Sequence, residues 1–405
     1  MSYGLFIFRR DLRITDNLAL NKLAEKVDFI IPIFILDPNQ IIKNNKNRYY
    51  FSNNAVQFIC ESLEYLNKQI HLHLFMTCNF SKLLNRIFKK CKISYVAFND
   101  DISPYAQKRD NEIIKTCKLH NIECIVECND DLLIKKYKYS KVFSVFYKYA
   151  RKQKIDKPHT HKTIFKKINF SFAFPIKKLN TLYDKNIHIA QHPNDHLSHS
   201  ATLNMGLISI REFYHKIKKS NIKGKRKLLR SLFWRDFFKI FFVNNKISFT
   251  KYINPRFDKI KWRPHIRELK LLYNSKTGFP QIDAAMKELI TTGFTNNRNR
   301  MLLAIFWTKY LHINMLDKKY GAQTHFSKHL IDAIGVSQNL GNQHFMVDTD
   351  YGGYRFGRGI SGRPMRIDKF DREYVLKWLP NYTFDKPIFN MRKRYDQWIN
   401  ITKKL

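Results

Sequence analysis

Residues 293–307, "GFTNNRNRMLLAIFW", set Asn297, Arg298, Arg300 and Met301 ahead of a strongly apolar run. Arginines and asparagines at a helix start suit phosphate or another anion, because the first turn leaves N–H groups unpaired and carries the positive end of the dipole. The same residues also serve an ordinary solvated helix start. A second stretch, "LIDAIGVSQNLGNQHF" (330–345), follows Asp332 with the amides Gln338, Asn339, Asn342 and Gln343 around Gly341. Amides in a row make either a solvated loop or a polar wall for a buried planar ligand. In "LLRSLFWRDFF", Trp234 and Arg235 stand beside Phe233, Phe237 and Phe238. An arginine next to a large aromatic can stack a base and hold a phosphate, though such a run also packs as core. "HLSHSATLNMG" offers Ser198, Ser200 and Thr202, and clustered hydroxyls with free backbone N–H groups can bind pyrophosphate. "YGGYRFGRGISGRP", with Arg355, suits a loop pressed on a nucleic-acid backbone or a flexible surface loop. No nucleophile–base pair, HExxH or Walker motif is present, so ordinary hydrolysis has no visible machinery. The hard chemistry then falls to a cofactor.

The background is basic. Lys+Arg number 73 against 33 Asp+Glu, a net charge of +40, and the pI is about 9.9. Such a field attracts a polyanion, nucleic acid above all, although a bias towards AT-rich codons also inflates lysine. Six cysteines lie in the first third without a CxxC pair, which argues against a zinc ribbon or an iron–sulfur cluster and for thiols in a reducing compartment. No run approaches the roughly 18 apolar residues of a membrane span, and "MSYGLFIFRRDLR" is too short in its apolar part for a signal peptide. The expectation is a soluble intracellular protein, cytoplasmic or, in a eukaryotic cell, nuclear.

The elements that must position these residues divide in two. At 405 residues, two domains are the natural expectation. "YGLFIF", "VDFIIPIFIL", "IHLHLFM", "ISYVAFN" and "IECIVECN" read as buried strands. They alternate with helical patterns such as "NNAVQFICESLEYLNKQI" and "SPYAQKRDNEIIKTCKLH", the latter opening with Ser-Pro. That alternation predicts a parallel α/β sheet over residues 1–130. Residues 131–195 are basic and aromatic, then lose periodicity, as an interdomain connector would. From 196 to 405 the pattern is helical, with "ISIREFYHKIKK", "KRKLLRSLFWRDFFKIFFVNN", "QIDAAMKELITTG" and "NRNRMLLAIFWTKYLHI" carrying apolar residues at i, i+3, i+4.

Taken in order, these stretches resemble the photolyase/cryptochrome family from end to end. "GLFIFRRDLRITDNLAL", "PIFILDP", "FNDDISPYAQKRD", "YSKVFSVFYK", "FWRDFF", "KTGFPQIDAAMKELITTGF", "NNRNRM", "HLID" and "KFDREYVLKWLP" fall in family order at family spacing. The resemblance implies an α/β antenna domain followed by an all-helical domain that holds FAD. It implies light-driven splitting of cyclobutane pyrimidine dimers in UV-damaged DNA, the excited reduced flavin lending an electron to a flipped-out dimer. A monomer is expected, with an antenna chromophore of folate or deazaflavin type as an optional second cofactor. By the same resemblance Ser198, Ser200, Asn297, Arg300, Asp332, Ile334 and Gln338 contact FAD. Trp234, Asn297 and Met301 face the lesion, with Gln338 opposite the reactive flavin nitrogen. Arg235, Arg298, His344 and Arg355 join Trp234 in contacting DNA.

The departures from the family pattern are concentrated at the site. Ser231 stands where many dimer-specific members carry a carboxylate, His344 replaces a tryptophan wall, and Phe294 replaces another tryptophan. Of the tryptophan triad that supplies electrons to the flavin, only Trp262 matches, with Asn342 and Met315 at the other positions. Trp307 is the residue from which a different relay would start. The alternative is a cryptochrome-like blue-light photoreceptor with little or no repair activity.

Overall fold

A computed structural model describes residues 1–42, 50–128, 131–133, 140, 142–191, 193, 199–244, 258–317, 319–321, 328–333 and 367–402. All five predicted strands are present: β1 (Tyr3–Phe8), β2 (Phe29–Leu36), β3 (His73–Met76), β4 (Ile93–Asn99) and β5 (Glu123–Glu127). They pair in parallel in the order β3-β2-β1-β4-β5. Between them run α1 (Leu18–Ala24), the single turn α2 (Pro38–Ile41), α3 (Asn53–Asn67), α4 (Phe80–Lys90) and α5 (Pro104–Leu119). Alternate residues of β1 serve opposite faces: Leu5 and Ile7 pack with Leu83, Leu84, Ile87 and Ile113 of α4 and α5. Phe6 and Phe8 pack with Leu20, Leu23 and Phe58 of α1 and α3. Burial on both faces is why the strands read as continuous apolar runs rather than alternating ones. Ser103 accepts from the Ala106 N–H at 3.1 Å and Pro104 takes the first helical position of α5, as the Ser-Pro start predicted.

The basic segment after β5 forms α6 (Phe143–Ala150) and then wraps the sheet. Ile164 accepts from the Ile30 N–H and Leu74 accepts from the Phe174 N–H, so residues 164–174 cover the exposed side of β2 and the edge strand β3. An uncovered edge would offer unpaired backbone groups to another chain.

The rest is helical: α7 (His199–Asn204), α8 (Ile210–Lys219), α9 (Lys225–Asn244), α10 (Ile266–Tyr273), α11 (Pro280–Thr292), α12 (Asn297–Ile305), α13 (Arg372–Trp378) and α14 (Met391–Thr402). The predicted helix after Asn297 does not stay α-helical to its end; it widens into a π turn over Phe306–Tyr310. One core joins α10, α11, α12 and α14 around Trp307, Tyr310, Tyr395 and Trp398. Another joins α6, α8 and α9 with Leu132 and Leu133.

The two halves are locked by the opening motif. Arg13 Nη1 donates to the Gly206 carbonyl at 3.0 Å, and the Leu12 N–H donates to Met205 O at 3.1 Å. Asp16 pairs with Arg211 of α8 at 2.8 Å, with both side chains buried. Gly206 itself has φ +66, and a Cβ there would lie 2.4 Å from the Arg10 carbonyl. Only glycine permits this approach.

Candidate functional site

The centre of the site is the junction of α11, α12 and the segment 328–333. Gly293 ends α11 in the left-handed region at φ 73, the usual exit for a helix that must turn at once. Its carbonyl accepts from the Ile331 N–H at 2.9 Å, and a Cβ would strike Ile331 Cγ2 at 2.7 Å. Segment 328–333 is therefore pressed against the α11 exit, which brings Asp332 to α12. Arg300 Nη2 reaches Asp332 Oδ2 at 2.9 Å, and the side chains are only 8% and 4% exposed. Arg300 Nε also donates to Thr295 O at 2.6 Å, and the guanidinium lies 4.9 Å over the Phe294 ring. The pair is thus a buried polar edge held in place by Thr295 and Phe294.

α12 presents two faces. Asn296 caps it by accepting from the Asn299 N–H at 3.0 Å. Asn297 and Arg298 are exposed on the outer side, while Asn299 and Arg300 are buried within. Asn297 Nδ2 lies 4.0 Å from Met301 Sδ, one turn along, and Met301 is half-buried. The structure therefore gathers Asn297, Arg298, Arg300, Met301 and Asp332 in one place.

The other predicted residues lie on other elements and have environments of their own. Ser200 is exposed in α7 and accepts from Gln191 Nε2 at 3.1 Å, while Gln191 Oε1 holds the Ala201 N–H at 2.9 Å. Trp234 is half-buried and stacks on Phe143 of α6 at 3.5 Å with 7° between the planes. One face of its ring is therefore taken by a residue of the connector. Arg235, expected to clamp phosphate, is instead buried at 8% exposure and donates to Leu203 O of α7 at 3.2 Å. The i, i+1 step from half-exposed Trp234 turns Arg235 inward, which a helical wheel shows only once the buried face is known. Trp262 stands 5.7 Å from Trp398. Trp307 is core, with Nε1 donating to Tyr320 O at 2.8 Å and its ring edge-on to Tyr273 at 5.8 Å. Ser231 is exposed, and Met315 is fully buried. Ser198, Ile334, Gln338, Asn342, His344 and Arg355 lie outside the described residues.

Sequence reasoning missed three features. Gln191 serves Ser200 from outside any motif. Thr295, Asn299, Glu288 and Tyr374 form a hydrogen-bonded set behind α12. A cavity of about 120 Å³ opens at the carboxyl ends of β1 and β2, lined among others by Arg10, Asp37, Phe51, Asp101, Tyr105 and Arg109. It lies beside the β1/β4 boundary where the strand order reverses, the crevice in which open α/β sheets bind ligands. The cavity's polar groups are held firmly. Arg10 Nη2 meets Asp101 at 2.6 Å, and Tyr105 donates to Asp37 at 2.5 Å. Burial works to raise Asp101, but Arg10 beside it and the Ser103 N–H hold it below the usual carboxylate range. Burial and the Asp37 carboxylate push the Tyr105 hydroxyl up.

The donor set fits a flavin. A planar ring system with polar edge groups needs a buried, fixed donor–acceptor pair, which Arg300 and Asp332 supply. A pyrophosphate is suited by hydroxyls and a positive field; Ser200 is an exposed hydroxyl in a chain of net charge +40.

Comparison with known proteins agrees with that chemistry. Residues 5–163 match the family model for DNA photolyase, and residues 228–393 match that for the FAD binding domain of DNA photolyase. The chain thus carries an FAD-binding domain. The deoxyribodipyrimidine photo-lyase of Buchnera aphidicola subsp. Baizongia pistaciae is 25% identical over 450 residues, covering 94% of this chain and 89% of that protein. A cryptochrome DASH of Gloeobacter violaceus is 32% identical over 188 residues, covering 45% of this chain and 36% of that protein. The crystal structure of an archaeal photolyase from Sulfolobus tokodaii with two FAD molecules superposes with a TM-score of 0.85 at 27% identity, covering all of both chains. An α/β first half and a helical FAD-binding second half are common to both.

Proposed function

Because the chain belongs to the DNA photolyase/cryptochrome family, we propose that it is a deoxyribodipyrimidine photo-lyase that splits cyclobutane pyrimidine dimers in UV-damaged DNA under light. The observation that carries this reading is the α12 start: Asn297 and Arg298 exposed one turn from a buried Arg300–Asp332 pair. A ligand-facing polar edge and a DNA-facing cation then share one rigid turn. FAD, when bound and reduced, supplies the electron for ring opening and recovers it afterwards.

This chain's residues do the rest. Asp332 and Arg300 orient the polar edge of the cofactor, and the apolar packing of α11 and α12 keeps water from it. Ser200, held by Gln191, and Ser198 meet the pyrophosphate, with Ile334 and Gln338 completing the cofactor contacts. Arg298, with Arg355 and His344, holds the kinked DNA backbone, while Met301, Asn297 and Trp234 line the lesion slot. Such charge-assisted contacts are the strong ones, and a basic rim adds the sequence-independent part of the affinity. Arg235 is left out of the DNA contacts because it is buried. The cavity at the ends of β1 and β2 is the place for an antenna chromophore: apolar rings for stacking, Arg10 and Arg109 for an anionic group. Residues 1–130, 131–195 and 196–405 serve as antenna domain, connector and catalytic domain, and the protein works as a monomer. Among the described residues, no helix is long and apolar enough to cross a membrane.

The second reading, a blue-light photoreceptor, draws on Met315 and Asn342 at positions of the electron-supplying tryptophans. The deciding experiment reduces the flavin with dithionite and illuminates the protein with dimer-containing single- and double-stranded oligonucleotides. Loss of dimers, counted by chromatography, is the expected result. Flavin binding with no loss of dimers in either substrate would transfer the protein to the photoreceptor reading.

A further inference from the structure

Behind the exposed face of α12 lies a polar chain that the candidate site does not account for. The Glu288 carboxylate on α11 accepts from the Tyr374 hydroxyl of α13 at 2.6 Å and from Thr295 Oγ1 at 2.5 Å. Asn299 Nδ2 donates to the Tyr374 oxygen at 2.8 Å and to Thr295 Oγ1 at 3.2 Å. Asn299 Oδ1 accepts from Gln281 Nε2 at 2.9 Å, and Gln281 Oε1 accepts from the Asp371 N–H at 3.1 Å. Thr295 is completely buried, and its carbonyl receives Arg300 Nε. An unbroken series of bonds therefore runs from α13 through α11 and Thr295 to Arg300 and Asp332.

A network of this kind costs stability unless every member is satisfied, and apolar residues would fill the space more cheaply. Its use is to fix geometry. Among the described residues Glu288 has no ion pair, and its Oε2 is held by two hydroxyls, one from the α11–α12 connection and one from α13, which ties the three together. Burial and that carboxylate push the Tyr374 hydroxyl far up, so it stays a donor. What is fixed is the rotation of the first turn of α12, because Asn299 faces the network while Arg298, its neighbour, faces outward. On a helix about 10–12 Å across, a rotation of about 15° moves a side-chain head by about 1.5 Å. Misplacements near 1 Å cost about a hundredfold at a reacting centre.

We propose that Glu288, Tyr374 and Thr295 are positioning residues that set Asn297 and Arg298 in register with the Arg300–Asp332 edge, and thereby set discrimination between damaged and undamaged DNA. The DNA half of this proposal rests on the photo-lyase reading above; the Arg300–Asp332 half does not.

The test uses the FAD-loaded full chain and the variants Tyr374→Phe, Thr295→Val and Thr295→Ser. Anisotropy measures affinity for a duplex and a single strand carrying one cyclobutane dimer and for their undamaged counterparts, and absorbance records the flavin bands. Tyr374→Phe and Thr295→Val are expected to lower the damaged-to-undamaged ratio about tenfold and to shift the flavin bands. Thr295→Ser, which keeps the hydroxyl, is expected to match wild type in both. Variants that keep the wild-type ratio and bands while melting earlier would overturn the proposal and leave the network a purely structural one. If wild type itself shows no preference for a dimer in either duplex or single-stranded DNA, the photo-lyase reading fails. The flavin bands then decide, and unchanged bands in both variants refute positioning of the Arg300–Asp332 edge.

Discussion

Asp332→Ala is the sharpest perturbation of the site, because it leaves a buried charge without its partner. Arg300 and Asp332 meet at 2.9 Å with 8% and 4% of their side chains exposed. Removing one partner of such a pair costs about 3–5 kcal/mol, most of it from the stranded charge. Arg300 keeps its bond to Thr295 O and its place over Phe294, which puts the expected loss at the low end, about 3 kcal/mol, or roughly 150-fold in the folding equilibrium. Asp332→Asn retains an acceptor and is expected to cost about 1–2 kcal/mol. The double replacement Arg300→Met with Asp332→Leu removes both charges and should recover most of the loss. All five tryptophans lie between residues 234 and 398, so urea unfolding followed by tryptophan fluorescence reports on the helical half of the chain. An Asp332→Ala variant within about 0.5 kcal/mol of wild type would refute the argument, since that is the range of ordinary surface changes. So would a double variant as unstable as the single one.

Three further outcomes follow from the same structure. Arg298→Ala should weaken binding to dimer-containing DNA by about 1–3 kcal/mol, the value of a charge-assisted contact, and should flatten the dependence of binding on salt; equal titration curves for variant and wild type would remove Arg298 from the interface. Gly206→Ala should destabilise the chain by more than about 2 kcal/mol, because a left-handed φ of +66 and a Cβ 2.4 Å from the Arg10 carbonyl act together; a melting temperature equal to wild type would contradict the contact. Burial, with His265 and Arg394 nearby, holds His312 down to about 4 from an ordinary value near 6.5. The folded form thus binds that proton less readily than the unfolded chain, so this contribution to stability is intact above pH about 6.5. It should be lost as pH falls from about 6.5 towards 4, and His312→Gln should show a shallower acid limb in the same denaturation series.

Much of the fold was legible in the chain. The five strands lie where continuous apolar runs stand between helical patterns, since a sheet covered on both faces has no polar side to interrupt the run. The start of α5 was legible for a different reason: Ser103 and Pro104 act on their own backbone within one turn. The helices α1, α2, α4, α6 and α7 were not identified singly, and α10, α13 and α14 fall within the stretch read as helical without being delimited. The π turn at Phe306–Tyr310 has no local signature either, because a widened turn is set by what packs around it. Arg235 shows the limit at a single position. Its motif suggested a phosphate clamp, but the angle between neighbours on a helix put it inside, against Leu203.

The sequence by itself determined the alternation of elements, the basic field and the chemical types available at the α12 start, because each depends on residues adjacent in the chain. The strand order, the arrival of Asp332 at Arg300 and the Phe143–Trp234 stack were decided only by the tertiary structure. So was the polar chain from Tyr374 to Thr295. Arg300 and Asp332 are 32 residues apart, and Tyr374 and Glu288 are 86 apart. Contacts across such separations exist only when the backbone turns at Gly293 and three helices have packed. No spacing rule along the chain encodes that event.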